Sequence, residues 1–192
     1  MAQRDREKWD KKYTEMADLL APRPPSEMVS LYYKEVPGKQ ALDLACGSGR
    51  HTIFLSKKGF HVDAVDISPI ALEQLAKHSD PEKVTLIEAD LDELELEPET
   101  YDLIVKTNYL DRKLIERAKK ALKPGGIFII ETYVADEENE KKDANPDFLL
   151  QEGELHSFFT DNFVMLEHKT FWNEKYEKNR MKKEAITVQK YA

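Results

Sequence analysis

The sequence predicts a doubly wound α/β domain on three observations: short apolar runs alternate with helical patterns through the middle of the chain, the runs lack polar alternation, and glycine- or aspartate-bearing loops follow the first three. Strands buried on both faces read as continuous apolar runs, which is the signature of a parallel sheet covered by helices. Gln40–Leu44 is the first strand. Residues 52–58 follow as a short helix ending at Gly59, a residue suited to a helix C-terminus. His61–Asp66 is the second strand, and Ser68 then reads as an N-cap with Pro69 at the first helical position, leading into a helix over 70–77. Val84–Glu88 is the third strand and 103–105 the fourth. A helix over 112–122 and a turn at Lys123-Pro-Gly-Gly126 lead into the fifth strand, 127–131. Two further apolar runs, 163–171 and 184–189, flank a charged stretch and predict an antiparallel hairpin on the sheet edge, giving seven mostly parallel strands. Ahead of the sheet lie a charged helix over 4–20, the break Ala21-Pro-Arg-Pro-Pro25, and a helix over 26–34 capped by Ser26.

At 192 residues with 41% hydrophobic positions, the chain is one domain with enough apolar content for a core. Its 29 basic against 37 acidic residues give a net charge of −8, the wrong sign for gripping nucleic acid, so no nucleic-acid partner is expected. The one cysteine forms no internal disulfide, and no apolar run approaches a membrane span, so the expected location is cytoplasmic without membrane contact.

In an open parallel sheet, ligands bind at the carboxyl ends of the strands where the winding reverses, which singles out the loop Ala45-Cys-Gly-Ser-Gly-Arg50. Gly47 and Gly49 allow close approach of a ligand to the backbone. A dinucleotide fingerprint needs Gly or Ala where Thr52 stands, which argues against a nicotinamide oxidoreductase. Asp43 lies inside the first strand, Asp66 ends the second, and Asp90 follows the third. Carboxylates there repel phosphate but accept hydrogen bonds from an amine, a ribose diol or an adenine amino group.

The ordered set ALDLACGSGR, VDAVDIS, IEADLDEL, YDLIVKTNYL and LKPGGIFIIETY resembles the class I S-adenosylmethionine-dependent methyltransferases over essentially the whole chain, with Ala45 standing where a glycine is commonest. WDKKY, APRPPS, NYLDR and NPDFLLQEGEL resemble the small TehB-type methyltransferases linked to tellurite resistance. The resemblance implies a Rossmann-like methyltransferase fold over 37–192, a helical lid over 1–36, and S-adenosyl-L-methionine as cofactor. It implies Asp66 on the ribose, Asp90 near the adenine amino group with Leu91 beside the ring, and Trp9 and Tyr13 in the lid. Asp43, Ala45, Cys46, Gly47, Gly49 and Arg50 in the first loop complete the expected cofactor set, with Ile67 after the second strand and Lys106 and Asn108 at the fourth.

Methyl transfer removes positive charge as the nucleophile arrives, so positioning and desolvation matter most, and an anionic acceptor such as tellurite, selenite or a thiolate wants cationic hosts. Arg112 and His51 are the expected catalytic residues on that ground. Each has a plainer alternative: an ion pair from Arg112 to Glu116 one turn on, and a merely exposed His51. Trp9 and Tyr13, four apart, could instead dock a helix to its own core, and Tyr133 could line the acceptor pocket or close the core. Cys46 reads as a small buried residue, the basic run Lys175–Lys183 as a solvated hairpin tip, and no histidine set has metal-ligand spacing. The expected function is methyl transfer to a small molecule or oxyanion by a monomer or homodimer. A nonenzymatic S-adenosylmethionine-binding regulator and an enzyme acting on a macromolecule are the alternatives.

Overall fold

The computed structural model describes residues 2–173 and 177–192. Helix α1 (Ala2–Glu15) and a 3-10 turn (Ala17–Leu20) precede α2 (Glu27–Tyr32). The alternating part follows as β1 (Gln40–Leu44), α3 (Arg50–Lys57), β2 (His61–Asp66), α4 (Pro69–Ala76), β3 (Val84–Glu88), β4 (Tyr101–Thr107), α5 (Arg112–Ala121) and β5 (Leu122–Tyr133). A short helix α6 (Glu154–Ser157) leads to the hairpin β6 (Phe163–Trp172) and β7 (Lys182–Lys190).

The seven strands lie in the order β3-β2-β1-β4-β5-β7-β6, with β7 antiparallel to its neighbours β5 and β6 and every other pair parallel. Winding reverses between β1 and β4, so their carboxyl ends open the crevice where such sheets bind ligands. Side-chain alternation divides the core. Leu42, Leu44, Ile104, Phe128 and Ile130 pack beneath Leu114, Ile115 and Ala118 of α5. On the other face Ala41, Val62, Leu103, Val105 and Ile129 meet Met28 and Val29 of α2 and Leu55 of α3, while Ala64 and Cys46 meet Leu72 and Leu75 of α4.

Several boundaries differ from the expected ones for identifiable reasons. The first helix is cut at Glu15 and continues only as the 3-10 turn. Strand β4 extends two residues beyond the apolar run at each end because its polar side chains are anchored: Tyr101 Oη donates to Asp63 Oδ2 at 2.8 Å, and Asp102 accepts from the Gln40 N–H at 2.9 Å. The expected turn at 123–126 survives as a bulge inside β5, where the register jumps between Tyr101↔Leu122 and Leu103↔Ile127 and Gly125 has φ +77°. Ser68 caps α4 as expected, accepting from Ala71 N with Pro69 in the first turn. Ser26 does not cap with its hydroxyl; its backbone N–H donates to His51 Nε2 at 3.2 Å. Lys175 of the basic run lies outside the described residues, and Lys183, expected in a solvated tip, is fully buried instead. Among the described residues no helix is long and apolar enough to cross a membrane.

Ala45 adopts φ +57°, the left-handed region where a β-carbon is penalised. The backbone after β1 therefore demands what glycine supplies most cheaply. Replacing Ala45 by glycine is expected to raise unfolding free energy by about 0.5–1 kcal/mol, after subtracting glycine's extra unfolded-state entropy. A urea midpoint equal to or below that of the parent would contradict this.

Candidate cofactor and acceptor site

The loop after β1 is held to β2 by a carboxylate. Asp66 accepts from the Gly47 N–H at 2.8 Å through one oxygen and from the Ser68 N–H at 2.9 Å through the other, and the side chain is 6% exposed. Burial pushes its carboxyl up, and these backbone bonds oppose the shift. Cys46 N donates to Val65 O at 3.0 Å, and burial pushes its thiol up, so it stays a neutral packing group. Gly49 opens α3 at φ +82°.

Asp43 lies beneath this loop. Its Oδ2 accepts from both Thr52 N (3.1 Å) and Thr52 Oγ1 (2.7 Å), which explains the threonine at the position where a dinucleotide fingerprint would have Gly or Ala. Burial outweighs those bonds and raises the Asp43 carboxyl to about 7.

The structure corrects the expectation of charge at His51. The ring is 2% exposed, its Nε2 accepts from Ser26 N and from Arg50 Nε at 3.2 Å each, and Nδ1 faces Asp43 at 4.0 Å. Burial, reinforced by Arg50 and Lys183, lowers its pKa well below the ordinary value, so the imidazole is neutral and locked inside the fold. Arg112 is likewise committed: Nε and Nη2 clamp the Glu154 carboxylate at 2.5 and 3.0 Å, and the guanidinium also donates to the carbonyls of Asp147 and Leu149. Its partner is not Glu116, which pairs with Lys119 at 3.0 Å. The arginine straps the 147–154 segment to the start of α5.

Helix α1 lies across the carboxyl ends of β2 and β3 and touches α4. Between them is a cavity of about 530 Å³ lined by Gln3, Arg6, Glu7 and Asp10 of α1 and by Ile67, Glu88, Ala89 and Asp90 of the sheet edge. Arg6 Nη1 bridges to Glu88 at 2.8 Å. One turn further, Trp9 and Tyr13 stack with ring centroids 5.8 Å apart. Tyr13 Oη sits so close over the glycine loop that a β-carbon on Gly47 would be 3.0 Å from it; burial and Asp66 push this phenol up, keeping it protonated. Leu91 is buried, and Asp90 Oδ1 accepts from Asp92 N at 3.0 Å while lining the cavity.

On the other side of the switch point, Lys106 is completely buried at the end of β4. Its Nζ donates to the Tyr109 carbonyl, and desolvation lowers its pKa to about 7. Asn108, exposed at φ +59°, turns the chain and donates its N–H to Glu131 O at 2.8 Å. The sequence reading missed a buried charge array beside it. Glu131 lies 4.0 Å from Arg50 Nη2 and 3.4 Å from Lys183 Nζ, which also meets Glu177 at 2.9 Å, and Tyr133 Oη donates to Glu177. The signal was available: Glu131 closes an apolar strand as anomalously as Asp43 interrupts one. Of the expected residues, Ile67 and Asp90 line the cavity, Tyr13 lies over Gly47 of the adjoining loop with Trp9 beside it, Asp66 ties that loop to β2, and Asp43 holds it from beneath through Thr52. The structure leaves His51 in the core and Arg112 at a strap.

This is a crevice at the switch point of an open α/β sheet, where such folds bind ligands, and comparison with known proteins places the fold. Residues 41–126 match the family model described as a methyltransferase domain. "Uncharacterized methyltransferase sll0829" of Synechocystis is 33% identical over 101 residues, covering 49% of this chain and 47% of its own. TehB of Haemophilus influenzae superposes with TM-score 0.74 over 94% of this chain and 66% of its own at 21% identity. The 1,6-didemethyltoxoflavin-N1-methyltransferase of Burkholderia thailandensis, solved with S-adenosylhomocysteine, superposes with TM-score 0.71 over 97% of this chain and 87% of its own at 18% identity. Relatives of similar identity bear the names of ribosomal RNA and ribosomal protein L11 methyltransferases. The chain spans about half the length of the first curated relative it matches.

Residues 41–126 therefore resemble a methyltransferase domain, and the fold is shared with S-adenosylmethionine-dependent methyltransferases of known structure, S-adenosylmethionine being the cofactor that this likeness implies. The residues present fit that group: the cavity is flanked by carboxylates suited to the donors of an adenosyl ligand, and Gly47 leaves the space a side chain would fill.

Proposed function

We propose that this protein is an enzyme transferring the methyl group of S-adenosylmethionine to a small nucleophile, anionic or soft, of the tellurite, selenite or thiolate type. The observation that carries the reading is Asp66, buried at the end of β2 with each oxygen oriented by a backbone N–H and with lone pairs left for a ribose diol. When bound, the cofactor supplies an electrophilic methyl carried on a sulfonium.

The chain's own residues bind and desolvate. Asp66 orients the ribose, Asp90 accepts from the adenine amino group, and Ile67 and Leu91 flank the ring. The backbone at Ala45, Cys46, Gly47 and Gly49 lies along the methionine moiety, with Arg50 toward its carboxylate and Asp43 fixing the loop through Thr52. Trp9 and Tyr13 close over the crevice and exclude water, which strengthens every charge interaction inside. Lys106 and Asn108 shape the end of β4 and would border the reacting end of the cofactor. On α1, Lys12 lies 4.3 Å over the Trp9 ring, and burial with the nearby Lys141 and Lys8 lowers its pKa against the opposing pull of Glu177. A soft anionic nucleophile needs no strong base, in keeping with a neutral His51 and a committed Arg112.

Incubation with S-adenosylmethionine and a panel of tellurite, selenite and thiols tests the reading through S-adenosylhomocysteine release. Asp66→Ala is expected to weaken cofactor binding more than about 100-fold, since it removes charge-assisted bonds to the ribose. Equal affinity in that variant contradicts the assignment. Binding without release from any acceptor contradicts transfer and favours a regulatory binder.

A further inference from the structure

Half of the residues lining the adenosyl cavity come from α1, and among them Asp10 is tied through Ser68 to the end of the strand that carries Asp66. Asp10 Oδ1 accepts from Ser68 Oγ at 2.5 Å, and Ser68 is the residue whose backbone N–H holds Asp66. The two carboxylates therefore approach one serine from opposite walls, close enough that Asp10 adds to the upward push on the Asp66 carboxyl. The cation nearest Asp10 on its own helix, Arg6, stands 3.9 Å from Oδ2 and spends its short contact on Glu88 at 2.8 Å. Asp10 lines the cavity with a side chain 25% exposed, and a carboxylate has room for about four hydrogen bonds. Ser68 gives each carboxylate one donor, Oγ to Asp10 and its N–H to Asp66, and the lone pairs left on the two repel one another until a vicinal diol supplies further donors.

We infer that Asp10 is a second ribose ligand, so that the adenosyl diol is held between Asp66 on the sheet and Asp10 on α1. The inference rests on the S-adenosylmethionine reading above. It makes α1 a specificity element as well as a cover: the helix closes over a ribose bearing both hydroxyls and is held open by carboxylate repulsion around a ligand lacking one. The competing role for Asp10 is a simple latch through Ser68 that docks α1 on the start of α4.

Calorimetric titration with S-adenosylhomocysteine and with its 2′-deoxy and 3′-deoxy ribose analogues separates these roles without reference to turnover. In the parent protein, loss of a hydroxyl that bonds to a carboxylate is expected to weaken binding about tenfold or more. In Asp10→Ala, a change that favours the helix it sits on, one of those two discriminations is expected to shrink below about threefold. Ser68→Ala, which cuts the latch and leaves Asp10 in place, is expected to keep both. Full discrimination in Asp10→Ala overturns the inference, and so does a loss shared equally by Ser68→Ala, which assigns the effect to docking. A parent protein that binds none of the three ligands overturns the underlying reading instead.

Discussion

Gly49→Ala is expected to cost about 2–5 kcal/mol of folding stability, the sum of a left-handed backbone penalty and core overpacking. Gly49 has φ +82°, and a β-carbon there would lie 2.3 Å from Leu75 Cδ1 and 2.8 Å from Cδ2. Leu75 is fully buried among Cys46, Ala64, Leu72 and Val84, so relieving the clash, by turning its side chain or by shifting α4 or the cofactor loop, disturbs that packing. Gly59→Ala is the matched control: its φ is +85°, but nothing lies within 4 Å of the added carbon. That variant is expected to lose only the backbone component, about 1 kcal/mol. Urea unfolding reads both, as a fall in midpoint at unchanged slope. Equal losses in the two variants would contradict the close packing of Gly49 on Leu75.

Lys106→Met is expected to stabilise the protein at pH 7 and to remove a pH dependence. The lysine is fully buried with its pKa lowered from 10.5 to about 7, desolvation being the main cause and Arg112 adding to it against the attraction of Asp111. Between pH 7 and 10.5 the unfolded chain holds a proton that the folded chain does not, so unfolding free energy rises with pH across that window. The penalty is fully present below pH 7, on the order of 4 kcal/mol, and is relieved as pH climbs toward 10.5 at up to about 1.4 kcal/mol per unit. Methionine fills similar space without charge but leaves the Tyr109 carbonyl without its donor, at a cost of about 1–3 kcal/mol. The net gain at pH 7 is then about 1–3 kcal/mol, shrinking and reversing toward pH 10. Urea curves of both proteins at pH 7, 8.5 and 10 check this. Parallel pH profiles would contradict a buried lysine of lowered pKa.

The parallel core was legible because burial on both faces forces continuous apolar runs: Gln40–Leu44 and His61–Asp66 match β1 and β2 residue for residue. Asp43 and Asp66 were legible as anomalies, charges at apolar strands that needed a reason to be there. What hid was charge satisfied at long range. Lys106 made β4 look three residues long, although it is as buried as Ile104. The partner of Arg112 is Glu154, 42 residues away, and a local helix rule pointed to Glu116. His51, beside a glycine loop, gave no sign that the N–H of Ser26 would reach its ring from α2's first turn. Ala45 was legible only as a departure from the glycine that the resemblance leads one to expect; the left-handed backbone there, φ +57°, is what the structure adds.

The most direct test of the central claim, that the crevice flanked by Asp43, Asp66 and Asp90 is an adenosyl site, is calorimetric titration of the parent protein with S-adenosylmethionine, S-adenosylhomocysteine and NADH. Binding of both adenosyl ligands at about micromolar Kd, with no heat from NADH, is the expected result, the cavity being acidic where a pyrophosphate would need positive groups. NADH binding, or no binding of either adenosyl ligand, would contradict it.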